Sequence, residues 1–163
     1  MSLQTSVDQY KEIFNLLPIG LYRTSIKDGK FLNANPYCAE MLGYDSVDEL
    51  LEKEASCNLY YDPSERERFI KEIEDKKGIV ENYELKLKLH DGSTKWVAIT
   101  ARKTKNYLEG SLMDITDRKN MEAELESYKT NEIKSLAIIS EAAKQRCDMH
   151  DGRAVYEKSH DGY

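Results

Sequence analysis

The run Tyr107-Leu108-Glu109-Gly110-Ser111-Leu112-Met113-Asp114-Ile115-Thr116-Asp117-Arg118-Lys119-Asn120 changes its period half-way along. Leu108, Gly110 and Leu112 share one parity. Tyr107, Ser111, Met113 and Ile115 share the other, so the first half reads as a strand covered on both faces. Thr116 or Asp117 then offers an oxygen to the first free N–H groups of a helix. Met121, Leu125 and Tyr128 follow at spacings of four and three, the mark of an amphipathic helix. The run therefore predicts a strand that becomes a helix without a loop. Such a junction can pass a strain in the sheet into the helix as a rotation or shift.

Working outward from this junction, the upstream chain supplies the rest of a sheet. Tyr83, Leu85, Leu87 and Leu89 alternate with Glu84, Lys86, Lys88 and His90, which gives a strand with one core face and one wet face. Asp91-Gly92-Ser93 is a hairpin turn, and Thr94 to Arg102 returns with Trp96, Val97 and Ile99. Nearer the start, Ile19 to Ile26 and Phe31 to Ala34 read as two strands joined by the turn Lys27-Asp28-Gly29-Lys30. Between the two pairs lie three short helices. Asn35-Pro36 caps and starts the first, where Tyr37, Met41 and Leu42 face inward and Gly43 ends it. Ser46 to Glu49 is a capping box that opens the second, carrying Leu50 and Leu51. Asp62-Pro63-Ser64-Glu65 opens the third, with Phe69, Ile70 and Ile73 as its apolar stripe and Gly78 as its stop. Asn58 to Tyr61 is a loop or single turn. Ahead of everything, Ser6-Val7-Asp8-Gln9 reads as a capping box for a helix with Val7, Tyr10, Phe14 and Leu17 on one face and Pro18 at its end.

This order predicts an α+β fold, an antiparallel sheet with its helices segregated to one face. It also resembles the PAS domain throughout, over about residues 6–117. Gly110…Asp114-Ile115-Thr116-Asp117-Arg118-Lys119 is similar to the end of that family's last strand, Asn33-Ala34-Asn35-Pro36…Met41-Leu42-Gly43-Tyr44 to its Asn-x-Ala…Leu-Gly-Tyr segment, and Asp91-Gly92-Ser93-Thr94-Lys95-Trp96-Val97 to its Asp-Gly-Ser hairpin. The resemblance implies a five-stranded antiparallel sheet of order 2-1-5-4-3 with helices over a cavity, plus amphipathic helices at both ends. The implied organisation is an N-terminal helix over 1–18, a PAS core over 19–116, a signalling and dimerisation helix over 117–145, and a polar, flexible tail over 146–163. Fold alone does not fix function, because this architecture serves many ligands and outputs.

Bulk properties narrow the classes. The 163 residues suit one domain and an appendage, too little for a sensor with a complete kinase. A formal net charge of −6 without a basic stripe speaks against a nucleic-acid partner. No apolar run reaches the roughly 20 residues that span a bilayer, and no signal peptide precedes the first helix. Cys38, Cys57 and Cys147 are odd in number and scattered, as reduced thiols are. These readings point to a cytoplasmic protein.

No catalytic constellation emerges, so the chain itself is expected not to be an enzyme. His90, His150 and His160 repeat a His-Asp-Gly tripeptide, the first on a hairpin rim and the others in the tail, with irregular spacing for a metal. Flavin-binding relatives resemble Asn-Cys-Arg-Phe-Leu-Gln in the middle helices. Cys38 stands earlier, in Pro36-Tyr37-Cys38-Ala39-Glu40, and reads as a small core residue. No histidine falls in 62–77, where haem-binding relatives carry theirs. Haem and covalent flavin are both disfavoured, and the cofactor stays unknown.

A small-molecule pocket between sheet and helices would draw on Tyr22, Phe31, Tyr83, Leu85, Trp96 and Leu112 from strands and Met41, Tyr60, Phe69 and Ile73 from helices. The alternative is that these side chains simply fill a core. Asp114, Thr116 and Asp117 are the expected relay, holding the strand–helix angle by hydrogen bonds. Beyond them Met121, Leu125 and Tyr128 form one apolar stripe and Ile133, Leu136, Ile139 and Ala143 a second, and the five-residue step from Tyr128 to Ile133 breaks a heptad. A homodimer with a stutter, feeding a downstream signalling domain, is one reading; a helix folded back on the sheet is the other. Asn131-Glu132-Ile133-Lys134-Ser135-Leu136-Ala137-Ile138-Ile139-Ser140 resembles the phosphoacceptor segment of sensor histidine kinases, with Asn131 where the phosphorylated histidine belongs. An amide offers no imidazole nucleophile, so this segment accepts no phosphate by that chemistry.

Overall fold

The computed structural model describes residues 3–157. Helix α1 spans Leu3–Leu16, strands β1 and β2 span Gly20–Ser25 and Phe31–Ala34, and helices α2, α3 and α4 span Pro36–Met41, Val47–Lys53 and Glu65–Asp75. A 3-10 turn at Ser56–Asn58 lies between α3 and α4. Strands β3, β4 and β5 follow at Ile79–Lys88, Thr94–Lys103 and Tyr107–Asp114, and α5 runs over Thr116–Glu157. The chain divides after Asp117 into two compact units.

In the first unit the five strands form one sheet in the order β2-β1-β5-β4-β3, antiparallel at every pairing. Its core face carries Thr24, Leu85, Leu87, Val97, Ile99, Leu108 and Leu112, all buried. Cys38, Leu42, Leu50, Phe69 and Ile73 come down on it from the helices, each at most 1% exposed. The opposite face is mixed: Tyr107 and Met113 stand exposed on it, and Arg23 and Arg102 both pair with Glu109, at 2.8 and 3.0 Å. Gly110 marks where β5 lies tightest on β4. A Cβ there would stand 2.0 Å from the Thr100 carbonyl oxygen, so no side chain fits.

Strand β3 needs an irregularity to keep its core face. Val80 pairs with Ala101 and Tyr83 with Ile99, so three steps on β3 match two on β4. The extra residue is absorbed by Asn82, which takes φ 52° in the left-handed region. Val80 and Leu85, of opposite parity in sequence, thereby both end up buried. Beyond the bulge the free edge of β3 is covered by the chain after the 3-10 turn: Tyr61 N donates to Lys86 O at 3.1 Å and Lys88 N to Leu59 O at 2.8 Å.

Two local expectations are corrected. Ser6 does not cap α1, which already begins at Leu3; a Ser-x-x-Gln pattern also fits a helix interior, and the preceding residues extend it. The long helix does not stop at 145 but continues to Glu157, through Gly152. A single helical glycine costs only about 1 kcal/mol against alanine and need not end a helix. Residues 158–163, which include His160, lie outside the described residues.

Candidate functional site

Asn35 organises the entry to the sheet. It is fully buried, and its amide makes all four bonds available to it. Nδ2 donates to Phe14 O at 3.0 Å and Ile19 O at 2.9 Å. Oδ1 accepts from Leu21 N at 2.9 Å and Cys38 N at 3.0 Å. One side chain thus caps α2, fixes the start of β1 and holds the end of α1.

Between the sheet and the 3-10 turn lies a small, partly open cavity of about 30 Å³. Tyr22, Phe31, Tyr60 and Leu112 line it, together with Thr24, Ser56, Leu59, Leu87, Ile99 and Leu108. The Tyr22 and Phe31 rings meet edge to face at 6.4 Å. Burial, with Tyr60 and Cys38 close by, pushes the Tyr22 phenol well above its ordinary range; burial does the same to Tyr60. Both therefore stay neutral hydroxyls. The turn is tied down by Ser56, whose N and Oγ both donate to Gly29 O, at 2.8 and 3.0 Å. Gly29 sits at φ +73°, where the β1–β2 turn needs glycine.

The other residues expected at a pocket lie elsewhere. Phe69, Ile73 and Leu85 are buried in the core away from this cavity. Tyr83 packs on Phe69 at 5.0 Å and donates to Glu65 at 2.7 Å; burial first, then that carboxylate, pushes its phenol up to about 12. Met41 reaches toward Gly20, where α2 crosses β1. Trp96 is on the opposite face of β4 from Val97 and Ile99, because its parity is even and theirs odd. Among the described residues no cluster of three His, Cys, Asp or Glu is placed to hold a metal. Burial pushes the Cys38 thiol up to about 12, so it is an inert core residue. On the face of the sheet that carries Arg23 and Glu109 an open groove runs beside α1, lined by those two side chains and by Val7, Tyr10 and Phe14.

At the exit from the sheet, β5 ends in a clasp on β4. Ile115 N donates to Trp96 O at 2.9 Å. The chain then turns into α5, and the next ladder group would be lost. Thr116 Oγ1 stands in for it, accepting from Trp96 N at 3.1 Å and donating to Trp96 O at 3.5 Å. Asp114 Oδ1 accepts from Thr116 N at 2.9 Å, and its other oxygen pairs with Lys95 at 3.1 Å. Partial burial works against the Asp114 carboxylate, but the Thr116 bonds and Lys95 outweigh it and hold its pKa below the usual range. Asp117 is the acidic residue of the first turn of α5, where the helix dipole favours it. Lys95 was not singled out in the sequence; the β4–β5 register sets Val97 opposite Asp114, and Lys95, two residues before Val97, reaches that carboxylate.

Helix α5, taken by itself, leaves its apolar side chains uncovered. Met121, Leu125, Tyr128, Ile133, Leu136 and Ile139 are each more than half exposed. No helix among the described residues is long and apolar enough to cross a membrane.

Comparison with known proteins matches this arrangement. The chain's fold is similar to an RNA-binding light-oxygen-voltage receptor, at 17% identity and TM-score 0.63 over 80% of this chain and 39% of that one. It is also similar to a sensory box histidine kinase/response regulator from Burkholderia thailandensis, at 19% identity and TM-score 0.58 over 76% of this chain and 96% of that one. A third is the PAS domain, in complex with ethanol, of a LuxR-family transcriptional regulator from the same organism, at 22% identity and TM-score 0.55 over 65% and 96%. The chain thus spans well under half the length of the light-oxygen-voltage receptor. At these identities the likeness is one of fold. No curated protein sequence matches the chain. The sequence model of the PAS domain matches residues 20–117, more than half of the chain, and the chain belongs to the PAS domain family.

Proposed function

We propose that this chain is a cytoplasmic, non-enzymatic sensory module of a two-component sensor kinase or a related signalling protein, which dimerises and drives its C-terminal helix. The observation that carries this reading is the clasp. Asp114, Ile115 and Thr116 tie the last strand to β4 in the three residues that lead into a 42-residue helix. A change in the sheet's packing that acts on these few bonds acts at the start of α5. The input is a small ligand or a partner that favours one packing of helices over sheet, and the output lies in a downstream domain.

A second reading is a ligand-free assembly module, and the cavity favours it. About 30 Å³ is the room of one water molecule, whereas small-molecule pockets run to roughly 300–1,000 Å³. A larger ligand would have to displace the Ser56–Tyr60 segment and break the Ser56–Gly29 bonds. Native mass spectrometry of the purified chain separates the two readings. A dimer with a stoichiometric extra mass, lost on denaturation, makes it a ligand sensor. A dimer without one makes it an assembly module. A monomer at micromolar concentration overturns the dimer relay.

A further inference from the structure

The small cavity lies under a strap. Residues 54–61 cross the core face from one edge of the sheet to the other. Ala55 bridges Lys30, next to the edge strand β2, and Tyr60 bridges Leu87 of the other edge strand, β3. Ser56, Leu59 and Tyr60 of this strap line the cavity. Its two ends are fastened unequally. At the β3 end Leu59 is buried, Leu59 O accepts from Lys88 N, and Tyr61 N donates to Lys86 O. The Tyr61 ring also carries the Lys86 ammonium, 4.9 Å from its centroid. At the other end Ser56 N and Ser56 Oγ both donate to the single carbonyl of Gly29, in a turn whose Asp28 and Lys30 are exposed.

Between its ends the strap is held by Glu54. Oε1 of Glu54 accepts from Ala55 N at 2.9 Å and from Asn58 Nδ2 at 3.1 Å. Its Oε2 accepts from the Tyr44 hydroxyl at 2.6 Å. Tyr44 is itself fixed: it is buried, and its ring lies 5.2 Å from that of His90, beyond the end of β3. Burial first, then the Glu54 carboxylate, push its phenol well above the ordinary range, so it stays a donor. One half-buried carboxylate thus ties the strap to a side chain of the core.

We infer that Glu54 is the latch of a gate over the cavity: when Tyr44 releases it, residues 54–58 swing out at the Gly29 end about the pinned β3 end, and the opened site takes small uncharged molecules. The inference rests on the ligand-sensing reading proposed above and adds how the ligand enters and of what kind it is. The closed cavity of about 30 Å³ has room for one water, so a guest of several heavy atoms requires the strap to move. The lining fixes the class. Tyr22, Thr24, Ser56 and Tyr60 bring hydroxyls, the remaining residues are apolar, and no ionised side chain is among them. A charged guest would give up its hydration without gaining a counter-charge.

Amide exchange and a pair of probes test this on the full chain. Tyr44→Phe and Glu54→Gln remove the latch bond from opposite sides. Each is expected to speed exchange of the Ser56 amide about tenfold, while the Lys88 amide, bonded to the pinned end, keeps its rate. n-Propanol is the uncharged probe and propionate its charged counterpart, both followed by NMR shifts at Leu108 and Leu112. Apparent affinity scales with the open fraction, so n-propanol should bind tighter by the same factor as Ser56 exchange rises, and propionate should not bind. Unchanged Ser56 exchange in both variants overturns the latch, and equal acceleration at Ser56 and Lys88 overturns the hinged gate. Faster Ser56 exchange with unaltered n-propanol affinity means that the strap does not guard the cavity, which also overturns the gate. Propionate binding as tightly as n-propanol overturns the ligand class. A stoichiometric extra mass in the native spectrum alongside any of these failures leaves the ligand sensor standing. No extra mass, together with no n-propanol binding in any variant, overturns the sensor and the gate together.

Discussion

The sheet is entered at Asn35 and left at Thr116, and each side chain fastens a helix to a strand by hydrogen bonds, but with very different security. Asn35 has no exposure and no unused donor or acceptor. The Thr116 clasp is half-buried, one of its bonds is as long as 3.5 Å, and it leans on a solvent-facing Asp114–Lys95 pair. Buried, saturated polar networks hold one geometry, because every alternative strands a group without water. A half-solvated clasp has water to exchange with, so its alternatives are cheap. The entry is thus the more firmly fastened of the two, and the exit the one that rearranges at lower cost.

The comparison breaks most visibly at the entry. Asn35→Ala should destabilise the first unit by about 3 kcal/mol or more, since several backbone groups each lose a partner at about 1–3 kcal/mol. Urea unfolding reads this directly, and a loss below about 1 kcal/mol would mean that the hub is not holding the fold. The exit should respond more gently. Thr116→Val keeps the shape and removes the surrogate ladder group, for about 1 kcal/mol. Amide exchange at Trp96 should speed up while the rest of β4 is unchanged; an unaltered Trp96 amide would show that the clasp is not what protects it. The smallest effect is on acid stability. Asp114 has a folded pKa below the ordinary 3.8, so its contribution is complete above that value and fades as pH falls through the lowered one. Asp114→Asn should flatten that part of the acid limb. Equal acid sensitivity in wild type and variant would remove the carboxylate from the account.

What the sequence disclosed and what it hid divide by range. The caps were legible because they act over three residues: Asn35 on Cys38, and Ser46 on Glu49 at 3.1 Å. Strand β3 was legible from its alternation, and the strand-to-helix change at Thr116 from its switch of period. The other three bonds of Asn35 reach across 14 to 21 residues and left no local mark. Trp96 was grouped with Val97 and Ile99 because all three are large and apolar, yet adjacent strand residues face opposite ways. The cavity drew in Thr24 and Ser56, whose small polar side chains carry no signal for a pocket. Its size was beyond reach, because it depends on how closely the side chains interlock.

The bulge at Asn82 has a consequence outside this chain. An uninterrupted ten-residue border strand is a template on which further copies can add strands without limit. Here the near half of that border is bent out of line by one left-handed asparagine, and the far half is already occupied by Leu59 and Tyr61. Each half spoils the template by a different means. This edge of the sheet is thereby a poor template for strand addition along the hydrogen-bonding direction.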